Sequence, residues 1–330
     1  MATTLYRWDD ASAPALTGTA DSIITVLDAI LVNGYGAKAA AGWTKAYTGV
    51  GKVAYRMAST AGKAGYYVRI VDNGDTNRSF QYRMYKTMSD VDTGTNPTPT
   101  VAQVGTNGFY VAKSQTSDST ARPWICVADD TAFVFFCDSN TTSYPESINY
   151  HSFMCCGQGT SRIGTLDTDF VVCLGRTNTT LAATAYATAA YQAIGTSTSA
   201  DGFTYCASNA AGSLGSISGT RRYFGWHSGP GTNLIGDLSY GQVAPDPVTG
   251  GINLSPVTFF EVSTLSFGIP RGYIPFLYAP DHAMGGTRFH DTRLTGSGDL
   301  AGKEFLFLNA GRGAGNTSVG CIAVQISGAR

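Results

Sequence analysis

Two aspartates and two tyrosines form the best local candidate for a catalytic cleft in this chain. Asp90 and Asp92 lie close in sequence to Tyr85, and Tyr110 follows further along. Paired carboxylates in an aromatic cleft serve as the acid and base of glycoside hydrolases, and carboxylates with nearby carbonyls also suit Ca²⁺. The spacing is not that of an EF-hand, and a solvated turn is the simpler interpretation of Asp and Gly in residues 90–94. We therefore assign neither a catalytic nor a metal site here.

Histidines are the next candidates for catalytic or metal-binding residues, because the imidazole titrates near neutral pH. The four are His151, His227, His282 and His290. His282 and His290 stand beside Asp281 and Asp291, which together could form a metal or acid–base cluster. The segment is rich in glycine and lacks the H-E-x-x-H spacing of a zinc site, so a surface loop is the simpler interpretation.

Other signatures of chemistry are weak. Residues 212–216 lack the G-x-S-x-G pattern of a nucleophile elbow, and no phosphate-binding G-x-x-x-x-G-K-[ST] segment occurs. The glycines of 34–36 and 311–315 stand in contexts that favour turns. Arg221 and Arg222 form a basic patch too small for nucleic-acid recognition. The prediction is no catalytic residue, no cofactor and no bound metal.

The composition describes a weakly charged globular protein. The 330 residues include 22 Lys plus Arg and 23 Asp plus Glu, so the formal charge is −1, and 14% of residues are charged. A near-neutral chain has no global field to attract nucleic acid or an anionic membrane surface. The hydrophobic share of 43% is too high for a disordered chain. No apolar run reaches the ~18 residues of a membrane helix.

Seven cysteines are spread irregularly along the chain: Cys126, Cys137, Cys155, Cys156, Cys173, Cys206 and Cys321. None has the C-x-x-C spacing of a zinc or redox site. Several stand in apolar stretches, so we expect buried, reduced thiols that pack as small hydrophobic groups. Disulfides are the alternative, and they require export or assembly into a particle that meets an oxidising medium. The first residues lack a basic segment followed by an apolar one, so we expect no signal peptide.

These residues must be positioned by secondary structure, and one segment has a clear helical pattern. Between Ser22 and Asn33, apolar residues recur at the i, i+4, i+7 and i+8 positions counted from Ile23. Asp21 or Ser22 is expected to cap the first turn. Gly34 follows the last turn, where a left-handed residue is wanted.

Most other ordered segments are rich in β-branched and aromatic residues, which predicts strands. Residues 66–72 and 79–85 are expected to form an antiparallel pair that turns at residues 73–75. Residues 122–129 and 131–137 are expected to form a second hairpin, with Asp129 and Asp130 at the turn. Shorter strands are predicted at 170–174, 257–262, 304–308 and 321–326.

The strands are too short and too closely spaced for a doubly wound α/β fold, so we predict a mainly β protein, α+β at most. The expected architecture is antiparallel sheets or a β-sandwich, with one N-terminal amphipathic helix and long Gly/Ser/Thr loops. The clearest loops are 94–106 and 195–220, and 181–194 is a weaker helix candidate. We divide the chain into an N-terminal region 1–194, a loop or linker 195–220 and a C-terminal β region 221–330. A single continuous domain is the alternative.

An aromatic run between prolines is the best candidate for a binding surface. Pro270, Pro275 and Pro280 stiffen residues 271–280, and proline has few conformations to lose on ordering. The run therefore suits a subunit interface in preference to a core strand, and an irregular core segment is the alternative. The candidate interface residues are Arg271, Tyr273, Ile274, Pro275, Phe276 and Tyr278.

Sequence landmarks occur in a fixed order along nearly the whole chain. They are residues 5–19 (LYRWDDASAPALTGT), 31–36 (LVNGYG), 42–45 (GWTK), 54–56 (AYR), 85–94 (YKTMSDVDTG), 121–124 (ARPW), 245–251 (PDPVTGG), 254–257 (LSPV), 271–280 (RGYIPFLYAP) and 296–303 (GSGDLAGK). This order resembles a group of tailed-bacteriophage virion structural proteins, which also occur in prophages. The family has no catalytic residues to carry over to this chain. The extra cysteines are atypical of the group, which leaves the disulfide question open.

The resemblance implies a virion structural protein that acts by assembly and not by catalysis, with the tail, tail tip or baseplate as the first choice. The alternatives are a capsid decoration or neck protein, a receptor- or glycan-binding virion protein, and a tail-associated glycan hydrolase. The implied partners are other virion proteins and further copies of this chain, with a host surface glycan as a further candidate. Neither nucleic acid nor membrane insertion is expected. The implied location is the virion, assembled in the host bacterial cytoplasm.

Overall fold

Runs of β-branched and aromatic residues form strands through most of the protein. The computed structural model describes residues 3–74, 77–139, 151–161, 170–176, 202–209, 211, 213–222, 254–261, 269–280, 293–309 and 321–328. Strands make up 52% and helices 10%, and the strands pair in antiparallel sheets. The predicted mainly β class is therefore confirmed.

Twenty strands lie in these ranges. The first ten are β1 (Thr4–Arg7), β2 (Thr44–Gly49), β3 (Lys52–Arg56), β4 (Tyr67–Gly74), β5 (Ser79–Tyr85), β6 (Thr87–Asp90), β7 (Thr93–Thr95), β8 (Phe109–Ala112), β9 (Trp124–Ala128) and β10 (Ala132–Asp138). The others are β11 (His151–Gln158), β12 (Thr160–Ser161), β13 (Val171–Arg176), β14 (Gly202–Ser208), β15 (Leu214–Arg222), β16 (Leu254–Glu261), β17 (Ile269–Pro280), β18 (Arg293–Thr295), β19 (Glu304–Asn309) and β20 (Cys321–Gln325). Strands β6 and β7 form a separate pair, and the others join in one continuous assembly.

Both predicted hairpins are present. Strands β4 and β5 pair in antiparallel register, and β4 continues to Gly74, through part of the expected turn. Strands β9 and β10 also pair. Between them, the Asp129 carboxylate accepts hydrogen bonds from the backbone N–H groups of Thr131 (2.8 Å) and Ala132 (2.9 Å). That side chain closes the turn in the way Asp favours.

The predicted helix forms, but its capping differs from the expectation. Helix α1 (Ser22–Leu27) continues as a π-helix over Asp28–Asn33 and ends at Gly34, whose φ is 76°. Asp21 is left-handed and its side chain makes no capping bond, and the Ser22 hydroxyl donates to the Thr17 carbonyl instead, so both predicted caps are wrong. The first turn is instead satisfied from the sheet, because the Asp72 carboxylate on β4 accepts the Ile23 N–H at 3.3 Å.

The loop expected at 195–220 is wrong for its described part, because β14 and β15 pair there in antiparallel register. Sheet hydrogen bonding outweighs the low strand propensity of its Gly and Ser residues. The expected loop 94–106 likewise contains the end of β7 and a short helix, α2 (Val101–Val104). The helix candidate at 181–194 lies outside the described residues.

Strand pairings join residues on both sides of the expected linker. Strand β15 pairs with β16, and β12 pairs with β17. These pairings place both predicted regions in one sheet assembly. The division into two regions itself stays a prediction.

Two large apolar clusters cover opposite faces of the central strands β9, β10, β11 and β13. The first core contains the helix, Trp43, Trp124, Phe133 and Phe135. The second core contains Phe136 with apolar residues of β16, β17, β19 and β20. Because side chains alternate across a strand, neighbouring residues of β10 enter different cores. This explains why β9 and residues 132–137 of β10 are apolar at every position.

Six cysteines lie in the described ranges with their side chains, and all six are buried and free of disulfides. This confirms the prediction for Cys126, Cys137, Cys155, Cys156, Cys173 and Cys206. The side chain of Cys321 lies outside the described residues. Among the helices that the structure describes, none has the length and apolar character needed to span a membrane.

Candidate functional site

Strand β17 bulges where it meets β16. Its register shifts so that Pro256 and Thr258, two residues apart on β16, pair with Tyr278 and Tyr273, five apart on β17. Within the bulge, Phe276 has a φ of 63°, a left-handed conformation that is costly for a bulky residue. The bulge redirects the strand, whose first half pairs with β12 and whose second half pairs with β20.

A pocket of about 430 Å³ lies against this bulge. Its walls come from β12, β16, β17, β20 and the turn before β19: Thr160, Leu254, Pro256, Tyr273, Ile274, Pro275, Phe276, Tyr278, Asp299, Leu300, Lys303 and Gln325. The volume falls in the range of small-molecule sites, which are mostly apolar with a few placed polar groups. This pocket is the candidate functional site.

Hydrogen bonds and ring packing hold one wall of the pocket. The Tyr278 hydroxyl donates to Gln325 Oε1 at 3.3 Å, and Gln325 Nε2 donates to the Ser327 carbonyl at 3.1 Å. The Tyr278 ring meets Phe305 edge-on, with centroids 5.0 Å apart. Burial raises the pKa of Tyr278, so its phenol stays a neutral donor at neutral pH. The wall is pre-organised in this way.

Charged groups enter the pocket from the short 3₁₀ turn Gly298–Leu300 and the residues after it. Asp299 contributes one negative and Lys303 one positive charge, so the net charge of this pair is zero. Around them stand the half-buried rings of Tyr273 and Tyr278. Aromatic faces beside hydrogen-bonding groups, without net charge, suit a neutral ligand that carries both an apolar face and hydroxyl groups.

The predicted interface run lies in this region, but its expected conformation was wrong. Arg271–Pro280 belongs to strand β17, because both halves of the run find pairing partners. Arg271 is buried; one guanidinium nitrogen donates to Ser208 Oγ at 2.9 Å, and Nε lies 4.0 Å from Glu261. Its role is structural.

The other interface candidates divide by burial. Ile274, Pro275 and Phe276 are buried within the chain, whereas Tyr273 and Tyr278 are half-buried at the pocket. Burial of the first three within the chain disfavours them as contact residues, and the interface itself stays a prediction. A role for the two tyrosines in binding stays a prediction.

The predicted carboxylate pair does not line this pocket. Asp92 forms ion pairs with Lys52 at 2.8 Å and with Arg69, and the Asp90 carboxylate accepts the Asp92 N–H at 3.1 Å. These hydrogen bonds, that of Lys52 first, hold the pKa of Asp92 below its usual range. Asp92 therefore stays ionised, which suits a surface ion pair better than a general acid. The Tyr110 hydroxyl accepts a hydrogen bond from Ser79 Oγ at 2.5 Å.

The remaining sequence candidates are placed only in part. His227, His282, His290, Asp281 and Asp291 lie outside the described residues. The backbone of His151 begins β11, and Arg221 and Arg222 end β15, but their side chains are not described. Within the described ranges, no group of three or more His, Cys, Asp or Glu side chains could hold a metal ion.

A buried ion pair was missed by the sequence analysis. Lys113 and Asp72 are fully buried and paired, and the Lys113 ammonium also donates to Thr19 O at 2.7 Å and Ser22 Oγ at 3.0 Å. Burial raises the pKa of Asp72 to about 6, against the lowering effect of Lys113. The pair joins β4 and the segment after β8 to the start of α1. Its place and full set of partners make it a structural element.

Several pocket residues were also missed, because the wall is assembled from segments far apart in the chain. Thr160 stands in an ordinary loop context, and Asp299 and Lys303 belong to the landmark 296–303, which carries no signature of a binding site. Gln325 did carry a sequence signal, since it is a polar residue inside the apolar stretch 321–326. A polar side chain in a buried strand needs partners, which points to a site at that position.

Comparisons with known protein families, with curated protein sequences and with solved structures found no match to this chain.

Proposed function

We propose that this chain is a structural protein of a tailed-bacteriophage virion and that it acts by assembly. The collinear landmarks carry the proposal, and the tail, tail tip or baseplate is its first location. Capsid decoration and the neck are the other locations. The landmarks take packing and turn positions in the fold. Trp43, Tyr55 and Trp124 lie in the first core, and Gly34 and Gly36 adopt positive φ.

The chemistry of the described residues supports assembly over catalysis. Two of its buried cations have partners that hold the fold: Lys113 pairs with Asp72, and Arg271 donates to Ser208. The carboxylate that was the best catalytic candidate, Asp92, is held by two cations. A protein that works by assembly needs rigid placement of surfaces, which such contacts provide.

The test is location of the protein in purified particles. Mass spectrometry of gradient-purified virions is expected to find the chain at a fixed ratio to the major capsid protein. Cryo-electron microscopy is expected to show it at symmetric positions, and particles made without its gene are the control. Its position on tail, neck or capsid distinguishes the locations. Absence of the chain from purified particles would overturn the proposal.

The pocket against β17 favours a second candidate function, binding of a host surface glycan. A sugar ring has an apolar C–H face that packs on an aromatic ring, and hydroxyl groups that bond to carboxylates, amides and ammonium groups. Tyr273 and Tyr278 supply the rings, and Asp299 and Lys303 supply polar groups. A pocket of about 430 Å³ matches one or two sugar units better than a folded domain.

Saturation-transfer NMR with a panel of methyl glycosides tests this second function. The panel contains the glycosides of glucose, galactose, mannose and N-acetylglucosamine. Transfer to at least one sugar is expected with the native protein and is expected to be lost in Tyr273→Ala. The matched control is Tyr47→Ala, because Tyr47 is half-buried in a stacked aromatic pair outside the pocket. No transfer to any sugar, or equal loss in both variants, would contradict the assignment.

A further inference from the structure

Two of the buried cysteines face each other across strands β11 and β13. Cys156 is the direct partner of Cys173 in the antiparallel register. Both side chains are fully buried in the first core. Their neighbours Cys155 and Cys206 point the other way, into the second core. The two thiols therefore share one face of the sheet and one row of it.

The surrounding hydrogen bonds show whether the two cysteines form a hydrogen-bonded or a non-hydrogen-bonded pair of the antiparallel ladder. The Gly159 N–H donates to the Phe170 carbonyl at 3.0 Å, and this contact continues the register of β11 with β13. On the other side of β11, the Gln158 N–H donates to the Thr131 carbonyl at 3.0 Å. Hydrogen-bonded and non-hydrogen-bonded pairs alternate along an antiparallel ladder. Counting back from Gly159 makes the cysteine pair a non-hydrogen-bonded one.

This type of pair brings side chains closest together. Its Cα atoms are about 4.5 Å apart in regular sheets, and a disulfide accepts Cα separations of roughly 4.4–6.8 Å. The backbone therefore does not need to move far for the two sulfur atoms to bond. Cys155 lacks this relation, because its partner on β13 is Leu174. Cys206 faces Val172.

We propose that Cys156 and Cys173 form a latent disulfide site, oxidised by a low-molecular-weight disulfide such as oxidised glutathione. One cysteine thiolate attacks the oxidant and releases one molecule of glutathione as a thiol. The second thiolate then attacks the mixed disulfide, forms the Cys156–Cys173 bond and releases the second glutathione. The two cysteines lose two electrons and two protons, and the oxidant gains them.

Burial sets when this exchange occurs. Both cysteines have no exposed surface in the folded chain, and a thiol must be reached by the oxidant to react. The bond therefore forms before β11 and β13 pair during folding, or when the two strands open locally. In a reducing cytoplasm the thiols stay free. In an oxidising medium each opening event is an opportunity to lock the strands together.

The experiment is refolding of the full chain from denaturant in a glutathione redox buffer. The reaction is quenched with acid and alkylated, and the product is digested without reduction. Peptide mass spectrometry is expected to find the β11 segment linked to the β13 segment, with a mass lower by two hydrogen atoms than the two free-thiol peptides. The oxidised protein is expected to unfold at higher denaturant concentration than the reduced protein. Addition of dithiothreitol is expected to reverse both results.

Matched variants separate this site from its neighbours. Cys156→Ser and Cys173→Ser are expected to lose the linked peptide and the shift of the midpoint. Cys155→Ser and Cys206→Ser remove equally buried thiols from the opposite face and are expected to keep both. Circular dichroism of the reduced variants checks that each one folds. Failure of the native chain to give the linked peptide overturns the proposal, and so does a link that survives in Cys156→Ser.

Discussion

The first and second cores are built on the same central strands, but they bury different kinds of groups. On the side of the first core, helix α1 packs on the sheet and a fully buried Lys113–Asp72 pair joins its first turn to β4. The second core is closed by β17, which bulges and carries Phe276 in a left-handed conformation. On the first side, the buried ion pair holds a helix. On the second side, the strand bulge forms a pocket.

This difference shows where a binding role fits the fold. A buried charge with several partners is rigid, because moving either group exposes the other to a medium of low dielectric constant. A strand bulge re-aims side chains and ends regular pairing, and bulges are frequent next to functional sites. The proposed glycan contact therefore lies on the side of the second core. The side of the first core supplies the stable frame.

The largest expected effect tests whether both clusters are true cores. Phe135 and Phe136 are neighbours on β10, and each is buried in a different core. Each change to alanine is expected to lower the free energy of unfolding by about 3–5 kcal/mol, because it leaves a cavity. Urea denaturation measures this, with Val50→Ala as control, since Val50 is 98% exposed. A small effect of Phe136→Ala alone would show that the second core is loosely packed.

The next prediction concerns the buried ion pair. Lys113→Met leaves the Asp72 carboxylate buried without its cation, which is expected to cost about 3–5 kcal/mol at neutral pH. Burial raises the folded pKa of Asp72 to about 6. Its contribution to stability is therefore full below the unfolded pKa and is lost as the pH rises through the folded pKa. The cost of Lys113→Met is expected to be clearly smaller near pH 5, where the carboxyl is protonated. Equal costs from urea denaturation at both pH values would argue against a buried charge.

The third prediction compares one tyrosine hydrogen bond on the side of the first core with one on the side of the second core. Tyr55 donates to the Asp28 carboxylate at 2.8 Å, and Tyr278 donates to the neutral Gln325 at 3.3 Å. Tyr55→Phe is expected to cost about 1.5–3 kcal/mol, because its acceptor is charged, and Tyr278→Phe about 0.5–1.5 kcal/mol. Denaturant unfolding of both variants measures the difference. The reverse order would mean that the pocket wall is held more tightly than the helix.

The smallest effect is expected at the surface. Asp92 is 49% exposed and pairs with Lys52 and Arg69, so Asp92→Asn is expected to cost at most about 1 kcal/mol. The pKa of Asp92 lies below its usual range, first because of its hydrogen bond with Lys52. Its contribution is therefore present above the usual aspartate pKa and is lost as the pH falls through the lowered value. Unfolding across the acid range measures this, and a larger loss would assign Asp92 a role in the fold.

The sequence by itself determined the class of fold, the helix and eight of the twenty described strands. Local periodicity is enough for these, because the stripe beginning at Ile23 and the apolar runs of β9 and β10 are properties of neighbouring residues. The same local signals misjudged 202–208 and 214–220, where Gly and Ser predict loops. Pairing partners far along the chain supply the hydrogen bonds that make these segments strands.

Only the tertiary structure determined which residues come together in the candidate sites. The pocket takes its walls from five segments between Thr160 and Gln325, and the facing of Cys156 with Cys173 depends on register. The cap on α1 is a carboxylate from β4, 49 residues from the N–H that it accepts. Composition and periodicity describe which residues are buried, but not which of them meet. These contacts follow from strand pairing between distant segments, which no local sequence pattern contains.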